Sequence, residues 1–229
     1  MPRPRIPDRR QRILAAAREL ALVRGWPATS VADIARTSGI GKGAVYLEFA
    51  DKSAILDAVL LGAMRRATAH VRAGLLDLGG AGGEPVGLVA VYRLGVEALL
   101  ADPLLTALQL GTESVLGSHV ATVTDGRYGE RHEWLADYVV ALQGAGVIDP
   151  QLDAASLTRV LATFTIGVLQ SPGILGGDAD ELRHTVTLFA DLIGCAVATG
   201  GPVDAAAARD AHLELLDRLA AQLAALEDR

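Results

Sequence analysis

A chain of 229 residues can bury a full hydrophobic core, as one domain of ordinary size or two small ones. Hydrophobic residues make up 51% of it and the mean hydropathy is +0.32, but no uncharged run reaches the about 20 residues of a membrane span. Thr185–Val203, nearly long enough, is interrupted by Asp191, so no membrane partner is expected. The net charge of −6 argues against a nucleic-acid partner until it is divided along the chain. Residues 1–52 carry +5 and residues 53–229 carry −11. A basic amino-terminal piece on an acidic remainder has two readings, a site for an anionic partner or a solvated basic arm. Behind Arg3, Arg5, Arg9, Arg10 and Arg12 the apolar stretch Ile13–Ala17 is too short for a secretory signal. The single cysteine, Cys195, leaves no internal disulfide and suits a reducing, cytoplasmic location.

Aromatic residues are only 4% of the chain, and apolar positions recur at three and four rather than two, which predicts an all-α protein of about nine to ten helices. The first helix is expected over Arg9–Arg24, with Gly25 ending it. Thr29 or Ser30 caps a short second helix through Val31, Ile34 and Ala35, with Asp33 near its positive end. Gly39 and Ile40 make a turn into a third helix of about two turns, with Val45 and Phe49 inward. Asp51 or Ser53 starts a long fourth helix reaching about residue 78. The glycine-rich segment 78–87 is a loop. Beyond it the pattern predicts helices over 86–100 and 104–116, the second opened by Asp102-Pro103. A loop over 117–126 follows, then a helix over 130–143. Asp153 caps a helix over 154–170 that Ser171-Pro172-Gly173 is expected to break. Asp178 or Asp180 opens another over 179–198, and the last carries Leu216, Leu219, Leu223 and Leu226. This gives an amino-terminal unit of residues 1–52, a connecting helix from 52 to 78, and a remainder over 53–229.

Gly39-Ile40-Gly41-Lys42-Gly43-Ala44 satisfies the G-x-G-x-x-G/A pattern that cradles a dinucleotide pyrophosphate. That chemistry needs a strand before the glycines and an acidic residue on a second strand about twenty positions on, and neither is present. A P-loop fails as well, because Gly43 stands where Ser or Thr must hold magnesium. A helix-turn-helix meets every demand instead. Ala35 is the small residue facing the partner helix, Gly39 tolerates positive φ in the turn, and Ile40 plugs the space between the helices. Gly41, Gly43 and Ala44 keep the leading end of the next helix slim enough to approach base edges.

On these residues the chain resembles the amino-terminal domain of the TetR family of bacterial transcriptional regulators. The resemblance spans residues 9–60 and rests on Ile13-x-x-Ala16-Ala17, Gly25-Trp26, Thr29-Ser30-Val31, Ile34-Ala35, Gly39-Ile40, Lys42-Gly43-Ala44-Val45-Tyr46, Phe49 and Lys52. It implies a double-stranded DNA partner and a DNA-binding set of Thr29, Ser30, Lys42, Gly43, Ala44, Tyr46, Leu47 and Lys52. Thr29 is expected to cap the second helix or meet a phosphate, Lys42 to reach a guanine edge or a phosphate, and Tyr46 and Lys52 to meet the backbone. Lys42 and Lys52 are the only lysines among twenty-one Lys and Arg residues. Leu47-Glu48 departs from the family pattern. Leu47 suits a thymine methyl; Glu48 either accepts from a cytosine amine, points to solvent, or pairs with Lys52 at i+4.

The resemblance also implies a homodimer on a palindromic operator and a small-molecule effector. The helices over 154–170 and 179–198 are expected to pair with their symmetry mates through Leu157, Leu161, Phe164, Val168, Val186, Ala190, Ile193, Gly194 and Val197. The small residues Ala190, Gly194 and Ala198 favour close helix approach; an intramolecular core is the alternative. Gln109, Glu113, Trp134, Tyr138, Thr163, Phe164 and Gln170 are the polar and aromatic candidates for an effector pocket, and the apolar composition points to an apolar ligand. The five histidines lack metal-ligand spacing, so no metal and no cofactor are expected. The sequence thus predicts a ligand-responsive repressor, with an activator on the same fold as alternative. A helical carrier or enzyme for an apolar metabolite is the reading from another class. It lacks a nucleophile–base arrangement, so the protein is not expected to be an enzyme.

Overall fold

The computed structural model of the chain describes residues 8–78, 86–110 and 123–227, the side chains of 107–110, 169, 170, 172 and 173 excepted. Among the described residues there are ten helices and no strand. They are α1 (Arg9–Arg24), α2 (Val31–Ser38), α3 (Lys42–Glu48), α4 (Lys52–Leu78), α5 (Leu88–Ala101), α6 (Pro103–Leu110), α7 (Arg127–Gly144), α8 (Ala154–Leu175), α9 (Ala179–Val197) and α10 (Ala205–Glu227). Residues 111–116 of the expected sixth helix, and most of the expected loops at 78–87 and 117–126, lie outside the described residues. No helix among them is long and apolar enough to cross a membrane.

The starts of these helices follow from their capping residues. Ser30, not Thr29, caps α2 in a reciprocal box with Asp33. Asp51 accepts from the Ala54 N–H at 2.8 Å to open α4, and Asp153 does the same for Ser156 at 2.8 Å ahead of α8. Asp178, rather than Asp180, caps α9 in a second box with Glu181. One expected stop is overridden. α8 runs through Ser171-Pro172-Gly173 to Leu175. Proline at 172 deprives the Val168 carbonyl of its helical N–H partner, and the Ser171 hydroxyl donates to that carbonyl at 3.2 Å. The residue read as part of a breaker supplies the missing donor.

Two main cores form. The first joins α1, α2 and α3 through Ile13, Ala17, Ile34, Ile40, Val45 and Phe49. It is closed by Ile55, Leu56, Val59, Leu60 and Ala63 of α4 and by the fully buried Leu104 and Leu105 of α6. A head of residues 1–52 and a body of 53–229 therefore describe a division of labour, not of packing. The second core gathers Leu88, Tyr138, Val139, Leu142, Ile148, Leu157, Leu161, Val197 and Ala208 from α5 and α7–α10. A smaller one, Val71, Leu75, Ala98 and Leu216, ties α4 and α5 to α10. Glycines let α5 lie close to its neighbours. A Cβ on Gly194 would lie 2.2 Å from Val89 Cγ2, and one on Gly74 would lie 2.6 Å from Leu94 Cδ2.

Candidate nucleic-acid interface

The turn between α2 and α3 is set by Gly39, in the left-handed region at φ +67°, where an L side chain is strained. Its N–H returns to the Ala35 and Arg36 carbonyls, and the Ile40 N–H bonds Ala35 O at 3.0 Å. Ile40 and Val45 are buried in the head core, which fixes the rotation of α3 about its own axis. That rotation leaves Lys42 and Gly43 exposed, Ala44 half-buried against the core, and Tyr46 and Leu47 exposed at 47% and 79%. A Cβ on Gly41 or Gly43 would meet nothing within 4 Å, so packing inside the chain does not require either glycine. The Lys42 ammonium lies 5.9 Å from the centre of the Tyr46 ring.

Other residues of the expected DNA set are turned inward. Thr29 is 2% exposed and its hydroxyl donates to the Gly25 carbonyl at 2.9 Å, closing the α1–α2 turn rather than capping α2. The Lys52 ammonium donates to the Trp26 and Pro27 carbonyls at 2.8 and 3.3 Å and sits 5.0 Å from the Trp26 ring. Partial burial lowers its pKa. Glu48 neither points to solvent nor pairs with Lys52. Its Oε1 accepts from Arg9 Nε at 2.6 Å and also from Arg9 Nη2. Ser30 stays exposed, its hydroxyl donating to Asp33 Oδ2 at 2.6 Å. That bond and those from Arg36 and Arg24 hold the Asp33 carboxyl well below the usual carboxylate range.

The arginines of α1 are likewise occupied. Arg10 lies over the Phe49 ring at 4.8 Å, and Arg12 Nη2 donates to the Ser38 carbonyl at 2.7 Å, at the negative end of α2. With Arg9 on Glu48, three residues of one helical stretch fasten α1 to both helices of the helix-turn-helix. Sequence reasoning placed Arg9, Arg10 and Arg12 in a basic arm and missed this role, because their partners lie 26 to 39 residues away.

One ionic joint connects the head to the body, and a second ties α4 to α7 within the body. Asp102, between α5 and α6, accepts from Arg18 of α1 at 2.8 and 3.3 Å, from Arg66 of α4 at 2.9 Å and from the Leu104 N–H at 2.9 Å. Burial alone would raise its pKa, but the two guanidiniums and the amide together hold it below the ordinary value. Arg127, buried at the start of α7, makes a forked pair with Asp57 of α4 at 2.9 and 3.2 Å and a second pair with Asp125. The sequence marked Asp102 only as a cap and carried no signal for Arg18, Arg66, Asp57 or Arg127.

Of the expected effector residues, Trp134, Tyr138, Thr163 and Phe164 have described side chains. Gln109, Glu113 and Gln170 lie outside the described residues or side chains. Thr163 is exposed. Trp134 and Tyr138 border a cavity of about 30 Å³, room for one water, rather than a ligand chamber. The buried Tyr138 hydroxyl faces His212 Nδ1 at 2.9 Å, while His212 Nε2 faces the Val86 carbonyl at 2.7 Å. Phe164 stacks on Phe189 with ring centres 3.5 Å apart, and Phe189 meets Tyr92 edge-on at 5.7 Å. Burial pushes the Tyr92 phenol up to about 12, with a hydrogen bond from Thr165 acting the other way.

The expected dimer residues divide by their burial within the single chain. Leu157, Leu161, Val186, Ala190 and Val197 are buried within the single chain, and Phe164, Ile193, Gly194 and Val168 are half-buried. The row of Ala190 and Gly194 admits α5 of the same chain. The exposed apolar side chains of these two helices include Val160 and Ile166 on α8 and Leu188 and Leu192 on α9.

Residues 13–59 match the family model for bacterial regulatory proteins of the tetR family. The HTH-type transcriptional regulator UidR of Escherichia coli (strain K12) is 26% identical over 166 residues, covering 70% of this chain and 79% of UidR. The uncharacterized HTH-type transcriptional regulator TtgW of Pseudomonas putida is 43% identical over 53 residues, 23% of this chain and 40% of that protein. Among solved structures, a TetR-family regulator from Syntrophomonas wolfei superposes with a TM-score of 0.58 at 18% identity, covering 85% of this chain and 98% of that one. An exposed, slim-ended α3 set by the Gly39 turn, together with these likenesses, leads to one conclusion: residues 13–59 form a DNA-binding domain of the kind found in the TetR family of bacterial transcriptional regulators, and the chain is a DNA-binding regulator of transcription.

Proposed function

We propose that the protein is a homodimeric repressor that binds a palindromic operator and is released from it by a small apolar effector. The observation that carries the DNA part is the leading end of α3. Gly41 and Gly43 have open space where a side chain would fit, and Lys42, Tyr46 and Leu47 stand exposed beside them. A helix that is slim for no internal reason fits one that must enter a major groove. In this reading Lys42 meets a guanine or a phosphate, Tyr46 a phosphate and Leu47 a thymine methyl, while Ser30 and the α2 N-terminus face the backbone. Ala44 supports the helix from below. Thr29 and Lys52 act from behind, holding the residue 25–29 turn against which the backbone docks.

One half-site is a small target, so two heads about 34 Å apart are needed for tight binding. The exposed stripe of Val160, Ile166, Leu188 and Leu192 is the face through which α8 and α9 would pair with a second copy. The effector would act through α4, which carries Asp57 and Arg66 of the two joints, by favouring a wrongly spaced pair of heads. Footprinting on the DNA upstream of its own gene is expected to show a protected palindrome. Lys42→Ala is expected to weaken binding and flatten its salt dependence by about one phosphate. No protected sequence at low salt would sink the reading. Transcription from that promoter with and without the protein sets the sign, and mass spectrometry of material co-purifying with it tests for the effector.

A further inference from the structure

Glu48 is the last residue of α3, one position after the highly exposed Leu47 of the reading helix. A carboxylate there faces a polyanion, and left alone it opposes binding. In the structure it is not alone. Arg9, the first residue of α1, turns its guanidinium onto Glu48 Oε1 through both Nε and Nη2, and the two side chains are only 33% and 21% exposed. The neighbouring cations do not compete for it: Arg10 is engaged with Phe49 and Arg12 with the Ser38 carbonyl.

We propose that Glu48 is a specificity-determining residue that works by masking charge: it holds Arg9 away from DNA phosphates and so suppresses sequence-independent binding. The inference rests on α3 being the DNA-reading helix. A head with a net charge of +5 over residues 1–52 would otherwise adhere to any duplex through its arginines. Because non-specific affinity comes almost wholly from neutralised phosphates, removing one cation from the count lowers it without touching contacts to base edges. Lys42 and its neighbours then carry a larger share of the discrimination between operator and bulk DNA. Glu48 itself touches no base in this account, and Arg9 is silent while the pair is intact.

The test is a charge cycle read by fluorescence anisotropy on an operator duplex and a scrambled duplex, from about 50 to about 300 mM salt. Glu48→Gln is expected to bind the scrambled duplex about fivefold more tightly near 0.1 M salt, with the log–log slope steeper by about 0.9. On the operator, where base contacts fix the register of the head, the gain is expected to be smaller, so the operator-to-scrambled ratio falls. Arg9→Gln leaves the carboxylate bare and is expected to weaken scrambled binding by a similar factor. Combining the two returns affinity and slope to those of the wild type. That restoration keeps the proposal testable if Glu48→Gln alone folds poorly, and thermal melts of all four proteins control for folding.

Two results overturn it. One is an unchanged slope in Glu48→Gln together with a double variant that behaves like Arg9→Gln, which would make Arg9 an ordinary phosphate contact. The other is loss of operator binding by Glu48→Gln, with scrambled binding unaltered and operator binding rescued by changing one C·G pair. That would make Glu48 a reader of cytosine. Absence of any duplex binding by the wild type would sink the DNA reading itself, whereas binding with an unaltered Glu48→Gln sinks only the masking role.

Discussion

The head and the body of this chain are built from the same helices and are governed by different ranges of interaction. In the head, the features that shape the turn and the exposed side of α3 lie within a few residues of one another: the Ser30–Asp33 box, the Gly39 turn, Ile40 and Val45 facing inward, and Lys42, Tyr46 and Leu47 facing out. In the body, they lie far apart in the chain. Tyr138 meets His212, Arg127 meets Asp57, and Gly194 meets Val89. The contrast teaches that a surface for DNA can be written locally, whereas a regulatory domain is defined by which distant helices touch.

The sharpest way to break the contrast is to remove a body residue that belongs to the head. Leu104 of α6 is fully buried in the head core. Leu104→Ala is expected to cost about 3 kcal/mol by leaving a cavity there, measured as a shift in the denaturant midpoint. An effect confined to the body, with the head's protection from hydrogen exchange unchanged, would restore a clean boundary near residue 52. Next comes Gly194→Ala, whose Cβ would lie 2.2 Å from Val89 Cγ2. We expect a loss of about 2 kcal/mol in protomer stability as α5 and α9 are forced apart, with the monomer–dimer equilibrium little affected. If dissociation changed and stability did not, the small-residue row would face a second copy after all.

How much was legible follows from these distances. The helix count, the α1 and α4 starts, the turn glycine and the inward Val45 and Phe49 were all readable, because capping, turn and periodicity rules act within about one helical turn or two. The inward bonds of Thr29 and Lys52 were not legible. Sequence alone could not show that the Gly25, Trp26 and Pro27 carbonyls would need donors. Apolar faces on α8 and α9 were legible, but which of their residues pack inside the chain was not, because the sequence does not say that α5 lies against α9. The break expected at Pro172 failed on a single hydroxyl, Ser171.

Asp102 offers a smaller effect that tests whether the joint between the regions has energetic content. Its folded pKa is depressed below the ordinary aspartate value of 3.8. Its ionic bonds therefore contribute stability that is fully present above that value and is lost as pH falls through the folded pKa. Asp102→Asn keeps the shape and removes the charge. With Arg18 and Arg66 both partly exposed, about 1 kcal/mol is expected at neutral pH, discounted for solvent screening. The stability difference from wild type is expected to shrink as the pH is lowered below 3.8. A constant difference across that window would mean the carboxylate acts only as a hydrogen-bond acceptor.

The smallest effect lies deepest in the body. The Val86 carbonyl can only accept, so His212 Nε2 carries its proton and Nδ1 accepts from the Tyr138 hydroxyl. Burial pulls the His212 pKa below 6.5, against the Val86 hydrogen bond, which favours the protonated form. Here the unfolded chain binds the extra proton, so stability is full above pH 6.5 and declines as pH falls toward the folded pKa. A further proton on Nδ1 would leave the Tyr138 hydroxyl without its acceptor. The decline is expected to vanish in His212→Gln, whose amide can still donate to Val86. Tyr138→Phe is expected to cost about 1 kcal/mol at neutral pH, and to soften the decline, because His212 then has no hydroxyl proton to give up on charging. Chemical denaturation of the three proteins from about pH 7.5 to about 5.5, roughly a unit either side of an ordinary histidine, separates these outcomes. An identical pH slope in His212→Gln would assign the decline to groups other than His212, and the contrast between a locally written head and a remotely wired body would lose its smallest support.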